Sequence, residues 1–133
     1  MLTLKELQED LNAISSQEEK IDYLIELGQD LPSFNQEKKA LENKVPGCVS
    51  GVYLYVTKEH NQIHIHVMSE SLIVKGILVI FLAFFNNSTK EEILQNKDLF
   101  EQFIQEHNLA SSVLATRANA TGQILQFLEQ KIE

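Results

Sequence analysis

Tryptophan is absent from this 133-residue sequence, and cysteine and arginine occur once each. A single cysteine excludes an internal disulfide. Together with a polar, acidic, amphipathic opening in place of a signal peptide, it points to a reducing compartment, the cytoplasm. Positive charge is also scarce: 11 Lys and Arg stand against 19 Asp and Glu, for a net charge of −8. That balance argues against nucleic acid and anionic membrane surfaces as partners. It leaves a basic protein partner, or plain solubility. Long apolar runs are missing too. The run from Leu72 to Phe85 is about 14 residues, carries Lys75, and falls short of the roughly 20 needed to span a bilayer; it reads as a buried core helix. No internal repeat, low-complexity tract or interdomain linker interrupts the chain. What is present is a hydrophobic content of 44%. The length suffices to bury roughly two-thirds of the unfolded surface. Both predict one domain over residues 1–133, with a core that needs neither disulfide nor structural metal.

Periodicity divides the chain into helices, a hairpin and further helices. Thr3-Leu4-Lys5-Glu6 reads as a capping box opening a helix to about Ile14, with Leu4, Leu7, Leu11 and Ile14 at helical spacing. Ser16-Gln17-Glu18-Glu19 repeats the signal for a second helix carrying Ile21, Leu24, Ile25 and Gly28, with Pro32 just past its end. Gln36–Glu42 is expected to be a short helix. The period then changes to two. Val52, Leu54 and Val56 alternate with tyrosines, and Ile63, Ile65 and Val67 alternate with His64, His66 and Met68. With Glu59-His60-Asn61-Gln62 as the turn, this predicts an antiparallel hairpin within a slightly larger sheet. Ser69-Glu70-Ser71 opens the central apolar helix and Asn86-Asn87-Ser88 ends it. Ser88-Thr89-Lys90-Glu91 caps the next helix, a further segment runs from Asp98 to Glu106, and a last helix starts near Ala118. The order predicts an α+β fold, an antiparallel sheet with helices packed on one face.

The cysteine lies in Asn43-Lys44-Val45-Pro46-Gly47-Cys48-Val49-Ser50-Gly51. Pro46 biases Val45 toward extended geometry, Gly47 allows a turn through positive φ, and Gly51 gives freedom before the strand. A thiol so placed can project from a hinged loop or fold back against Val45 and Val49. From these residues alone, a reactive thiol and a small hydrophobe under a turn stay equally open. The single arginine, Arg117, lies just before the last helix and suits either a planar bidentate contact or a surface charge. His64 and His66 share a strand face; they read as the wet side of the hairpin, with a metal site completed by Cys48 as the rarer alternative. Glu70 at a helix start is accounted for by capping and the helix dipole.

Four segments in order resemble the SufE family, small proteins that accept sulfur from a cysteine desulfurase during iron–sulfur cluster assembly. They are Ile21-Asp22-Tyr23-Leu24-Ile25-Glu26-Leu27-Gly28 with Leu31-Pro32, the cysteine loop, Ser69-Glu70-Ser71 leading into Ile73-Val74-Lys75-Gly76, and Thr116-Arg117-Ala118-Asn119. The resemblance implies the α+β architecture shared with U-type scaffold proteins. It also implies that Cys48 becomes a persulfide, and that Glu70, Arg117, Gly47, Ser50 and Gly51 position the loop or meet a partner. Glu70 falls where an aspartate is usual. Val49 and Gly51 replace residues that are commonly glutamine, Tyr53 replaces a tryptophan, and Ala120-Thr121 replaces Gly-Leu.

The implied activity is that of a sulfur carrier with sulfurtransferase-like chemistry. Its partners would be a cysteine desulfurase, which it stimulates, and an iron–sulfur scaffold complex. No cofactor or metal is implied on this chain, because carbon–sulfur cleavage belongs to the partner's pyridoxal phosphate. A monomer or weak homodimer is expected. Two alternatives remain: an activator that binds the desulfurase without carrying sulfur, and a small metal-binding domain using His64, His66 and Cys48. A U-type scaffold normally needs three cysteines, so a single one disfavours it.

Overall fold

Thr3 opens the first helix, α1 (Leu4–Asn12), as the sequence predicts. Its hydroxyl oxygen accepts from the Glu6 amide while the Glu6 carboxylate accepts from the Thr3 amide, a complete capping box. The structure, a computed structural model, describes residues 2–47, 51–109 and 115–133, the side chains of 115–120 excepted. Helix α2 (Gln17–Gly28) starts at Ser16, whose hydroxyl oxygen accepts from the Glu19 amide. The Glu19 carboxylate accepts from the Ser16 hydroxyl and not from the Ser16 backbone amide, so only half of the box forms.

Beyond α2 the chain departs from the expected short helix. Gln36–Lys38 and Leu41–Asn43 are two separate 3-10 turns. The Asn35 side chain caps the first and extended backbone at Ala40 breaks the run before the second. Strands β1 (Val52–Glu59) and β2 (Gln62–Ser69) pair antiparallel from Val52 opposite Ser69 to Glu59 opposite Gln62. His60 and Asn61 make the turn with φ of 51° and 66°, the left-handed pair that a two-residue hairpin loop requires. Among the described residues the sheet has these two strands and is not larger. Single bridges flank it instead: Lys44 opposite Tyr53 on the outer side of β1, and Ile63 opposite Ser88 on the outer side of β2. Neither flank extends, because the Pro46-Gly47 turn follows one bridge and left-handed Asn87 (φ 60°) bends the chain at the other.

Three more helices complete the order: α3 (Leu72–Phe85), α4 (Lys90–Glu106) and α5 (Ala115–Ile132). The box that opens α4 uses Thr89 and Glu92, one residue later than the expected Ser88 and Glu91. The segment from Asp98 to Glu106 is not separate. No Gly or Pro interrupts Gln95–Lys97, so α4 runs through it. Helix α5 starts three residues before Ala118, which puts Arg117 inside its first turn and not ahead of it.

Helix α3 is the axis of the core. From Gly76 to Phe85 all but Ala83 are buried. The hairpin turns Val52, Leu54, Ile63, Ile65 and Val67 toward this core, and the helices pack on that face. Phe100 of α4 meets Phe81, Phe84 and Phe85 edge-on, with ring centroids 5.4–5.6 Å apart. Helix α2 crosses α3 at two glycines. A Cβ on Gly76 would stand 2.2 Å from the Leu24 carbonyl oxygen, and one on Gly28 would stand 2.7 Å from the Lys75 Cβ. Both helices therefore need hydrogen at those positions to approach this closely.

His107 ties α1, α2 and α4 together at the other end. The Gln8 amide nitrogen donates to Glu106 at 3.1 Å, so its oxygen faces His107 and accepts from Nε2 at 2.8 Å. The backbone carbonyl of His107 accepts from the Lys20 ammonium. Burial lowers the imidazole pKa from its ordinary value near 6.5; Glu106 opposes this and Lys20 reinforces it. His66 is lowered too, by burial and then by His64. A depressed histidine binds its proton less readily folded than unfolded. Its contribution is therefore complete above the unfolded value and lost as pH falls through the folded one. The urea midpoint is expected to drop between about pH 7.5 and about pH 5, a window that lies above ordinary carboxylate titration. His107→Gln should flatten that drop. An unchanged slope in the variant would remove His107 from the account.

Candidate functional site

The cysteine loop rises from a closed stem. Asn43 ends the second 3-10 turn, after which Lys44 and Val45 run back along β1. The Val45 amide donates to the Val52 carbonyl at 2.8 Å, and Lys44 bridges Tyr53. Val45 is fully buried while Pro46 and Gly47 are exposed, so the chain leaves the core within two residues. Gly47 and Gly51 both have positive φ, 79° and 66°. Side chains rarely adopt that geometry, which gives both loop ends a physical reason to be glycine. Cys48 and Ser50, the expected acceptor and one of its expected neighbours, lie outside the described residues, as does Val49.

One local contact and one helix distant in sequence fix the stem. Asn43 is buried and its amide donates to the Lys38 carbonyl at 2.9 Å. From α5, the Lys131 ammonium reaches the Glu42 carbonyl at 3.0 Å and the Asn43 side-chain oxygen at 3.4 Å. Gln123, two turns earlier on α5, lies beside Gly47, where a Cβ would come 3.5 Å from its Cδ. Arg117 belongs to the same helix, six residues or about 9 Å along the axis before Gln123. Its side chain is outside the described residues. Helix α5 thus carries both the stem clamp and the arginine of the C-terminal motif.

Glu70 stands one residue ahead of the cap. The Ser71 hydroxyl caps α3 by accepting from the Val74 amide, so the capping role expected of Glu70 belongs to Ser71. The exposed Glu70 carboxylate instead pairs with Lys39 at 3.1 Å. The Lys39 ammonium also lies 5.8 Å from the centre of the Tyr53 ring. Glu70 is thereby linked through Lys39 to Tyr53, the residue whose backbone bridges Lys44 in the stem.

The histidine face of the hairpin is less open than alternation alone predicts. His66 stacks on Tyr55 at 4.4 Å, and Phe34 meets Tyr55 edge-on at 5.3 Å. The segment between α2 and β1 therefore covers part of this face. His66 Nε2 hydrogen-bonds the Thr57 hydroxyl at 3.1 Å, while His64 Nδ1 engages the Asn87 side-chain oxygen. Among the described residues no group of three His, Cys, Asp or Glu side chains is arranged to hold a metal ion, and no helix is long and apolar enough to cross a membrane.

Sequence reasoning missed Lys39, Gln123 and Lys131. Each acts across 31 or more residues, as in the pairs Lys39–Glu70 and Lys131–Asn43. No local pattern marks such partners. Asn43 did carry a signal, as the first residue of the cysteine-loop motif.

The fold is an α+β fold of the same kind as a solved neighbour. The solution structure of a hypothetical protein from Thermus thermophilus matches with a TM-score of 0.71 at 13% identity, covering 99% of this chain and 96% of that one. Sequence supplies the family. The family model described as "SufE: Fe-S metabolism associated domain" matches residues 5–132. An uncharacterized SufE-like protein of Rhizobium etli is 30% identical over 136 residues, 98% of this chain and 90% of that relative. One from Synechocystis is 30% identical over 112 residues, 84% of this chain and 69% of the relative. The chain belongs to the SufE family, a family associated with iron–sulfur metabolism.

Proposed function

We propose that this protein accepts sulfane sulfur from a cysteine desulfurase as a persulfide on Cys48, stimulates that enzyme, and passes the sulfur to an iron–sulfur scaffold complex. One observation carries the reading: the chain's only cysteine falls between two left-handed glycines on a clamped stem, in a chain that matches the SufE family over residues 5–132. The Val45–Val52 bond and the Lys131 clamp hold the base of the segment that carries Cys48.

The transfer is a thiol–disulfide type exchange. The Cys48 thiolate attacks the outer sulfur of the desulfurase persulfide, a new sulfur–sulfur bond forms on Cys48, and the desulfurase cysteine leaves as its thiolate. A scaffold thiolate then takes the outer sulfur in the same way, returning Cys48 to its starting state. No oxidant or reductant is consumed at either step, and this chain supplies no cofactor. Glu70 and Arg117 are proposed to position the loop, with Ser50 as a further loop contact.

Incubation with a cognate cysteine desulfurase and cysteine, without reductant, should raise the intact mass by at least one sulfur atom. Cys48→Ser should abolish that gain together with the stimulation of turnover. Retained stimulation in Cys48→Ser without mass gain would instead establish an activator that carries no sulfur. An equimolar metal content in the purified protein, lost in His64→Ala, would favour the metal-binding alternative.

A further inference from the structure

A cavity opens between the end of α2, the segment after it, the end of β2 and the start of α3, with a volume of about 500 Å³. That lies within the range of small-molecule sites. Ile25, Leu31, Pro32, Phe34, Met68 and Leu72 provide apolar walls. Two charged side chains reach the lining, Glu70 and Lys75. They differ in how they are compensated. The Glu70 carboxylate is taken by Lys39 at 3.1 Å, so that pair is neutral. Among the described residues Lys75 has no carboxylate within ion-pair distance, and its side-chain stem is held where Gly28 leaves room for its Cβ. Leu72 is 57% exposed at the rim, an apolar surface that a ligand would cover.

We propose that this cavity binds a small amphiphilic anion, a molecule with an apolar body and a single carboxylate or similar group, with Lys75 taking the charge. The apolar walls would shelter the body. The uncompensated ammonium sets the sign of the head group, since a cationic head would meet Lys75 with nothing free to balance it. Size favours a small molecule over an extended partner segment, because a cleft of this volume accommodates one compact body. The site borders the sulfur-transfer loop through Glu70, but the proposed ligand is held by Lys75 and the apolar walls. It involves no thiol, and its failure would leave the persulfide reading untouched.

Octanoate is the probe, with octylammonium as the same body bearing the opposite charge. Titration followed by amide chemical shifts should move Gly28, Gln29, Ser33, Ser69 and Lys75 together with octanoate, and bind octylammonium about tenfold more weakly or worse. Lys75→Gln should erase that preference, and Leu72→Asn should weaken both ligands alike. The comparison of the two probes on the parent protein needs no variant, so a folding defect in either substitution cannot obscure the answer. Equal binding of both probes, shifts centred elsewhere such as around Leu94 and Leu99 on α4, or no saturation at millimolar octanoate would each overturn the proposal.

Discussion

Replacing Gly76 by alanine is expected to destabilise the protein by ~3 kcal/mol or more and to lower its melting temperature by ~10 °C or more. The added methyl would sit 2.2 Å from the Leu24 carbonyl oxygen and 2.7 Å from its carbonyl carbon, both backbone atoms of α2 that cannot rotate away. Relief requires the whole of α2 to move off α3, which would uncover Leu24 and Leu27 as well. The consequence reaches the candidate site, because Ser71, the cap of α3, directly follows Glu70. Gly122 on α5 is the control. A Cβ there meets nothing within 4 Å, so Gly122→Ala should be neutral or slightly stabilising through helix propensity. A melting temperature for Gly76→Ala close to that of the parent would mean that α2 and α3 are not held in this register in solution.

The second large effect is at Phe100, where truncation to alanine should cost about 4 kcal/mol. The ring is 1% exposed and meets three others from α3. Removing it takes away both its transfer energy and the edge-to-face contacts that fasten α4 to α3. It also leaves a cavity that the rigid aromatic neighbours cannot close by rotation. Phe100→Leu should recover roughly half of the loss by refilling volume without the ring geometry. Urea denaturation of the three proteins measures both steps. Leu99→Ala supplies the contrast, since Leu99 is 54% exposed on the same helix and should change stability little. An equal loss at Leu99 and Phe100 would contradict the packing described for α4.

Both positions show where sequence reasoning succeeds and where it stops. The helix starts at Thr3 and Ser16 were legible because a cap is local chemistry: the donor and acceptor lie three residues apart. The hairpin was legible for the same reason, its alternation and its His60-Asn61 turn being confined to one contiguous stretch. Gly28 and Gly76 were each visible as members of motifs, yet their reciprocal fit could not be read, because it joins Leu24 to Gly76 and Gly28 to Lys75, pairs far apart in sequence. The stem was half legible. Pro46, Gly47 and Gly51 announced a turn, and the structure gives both glycines positive φ. The Lys131 clamp and the Lys39–Glu70 pair depend on how α5 and the segment before the stem come back to the sheet, which no periodicity encodes. Ser71 took the cap expected of Glu70 because a hydroxyl one residue later has the geometry to accept the Val74 amide.

The single bridges beside the hairpin have a consequence for how the protein behaves in a crowded solution. A two-stranded sheet offers two open rims, and an open rim is a template on which another copy can add a strand. Here the chain obstructs both. Lys44 and Val45 lie along the outer rim of β1 at its first residues, while Asn86, Asn87 and Ser88 occupy the outer rim of β2 at Ile63 and Ile65. Because the strands are antiparallel, the two blocks fall at diagonally opposite corners, and neither rim is free along its whole length. A foreign strand could pair over only part of either side before meeting a loop. The stem that anchors the cysteine loop is one of those two blocks, so the same few residues that hold the loop's base also guard the sheet against self-association.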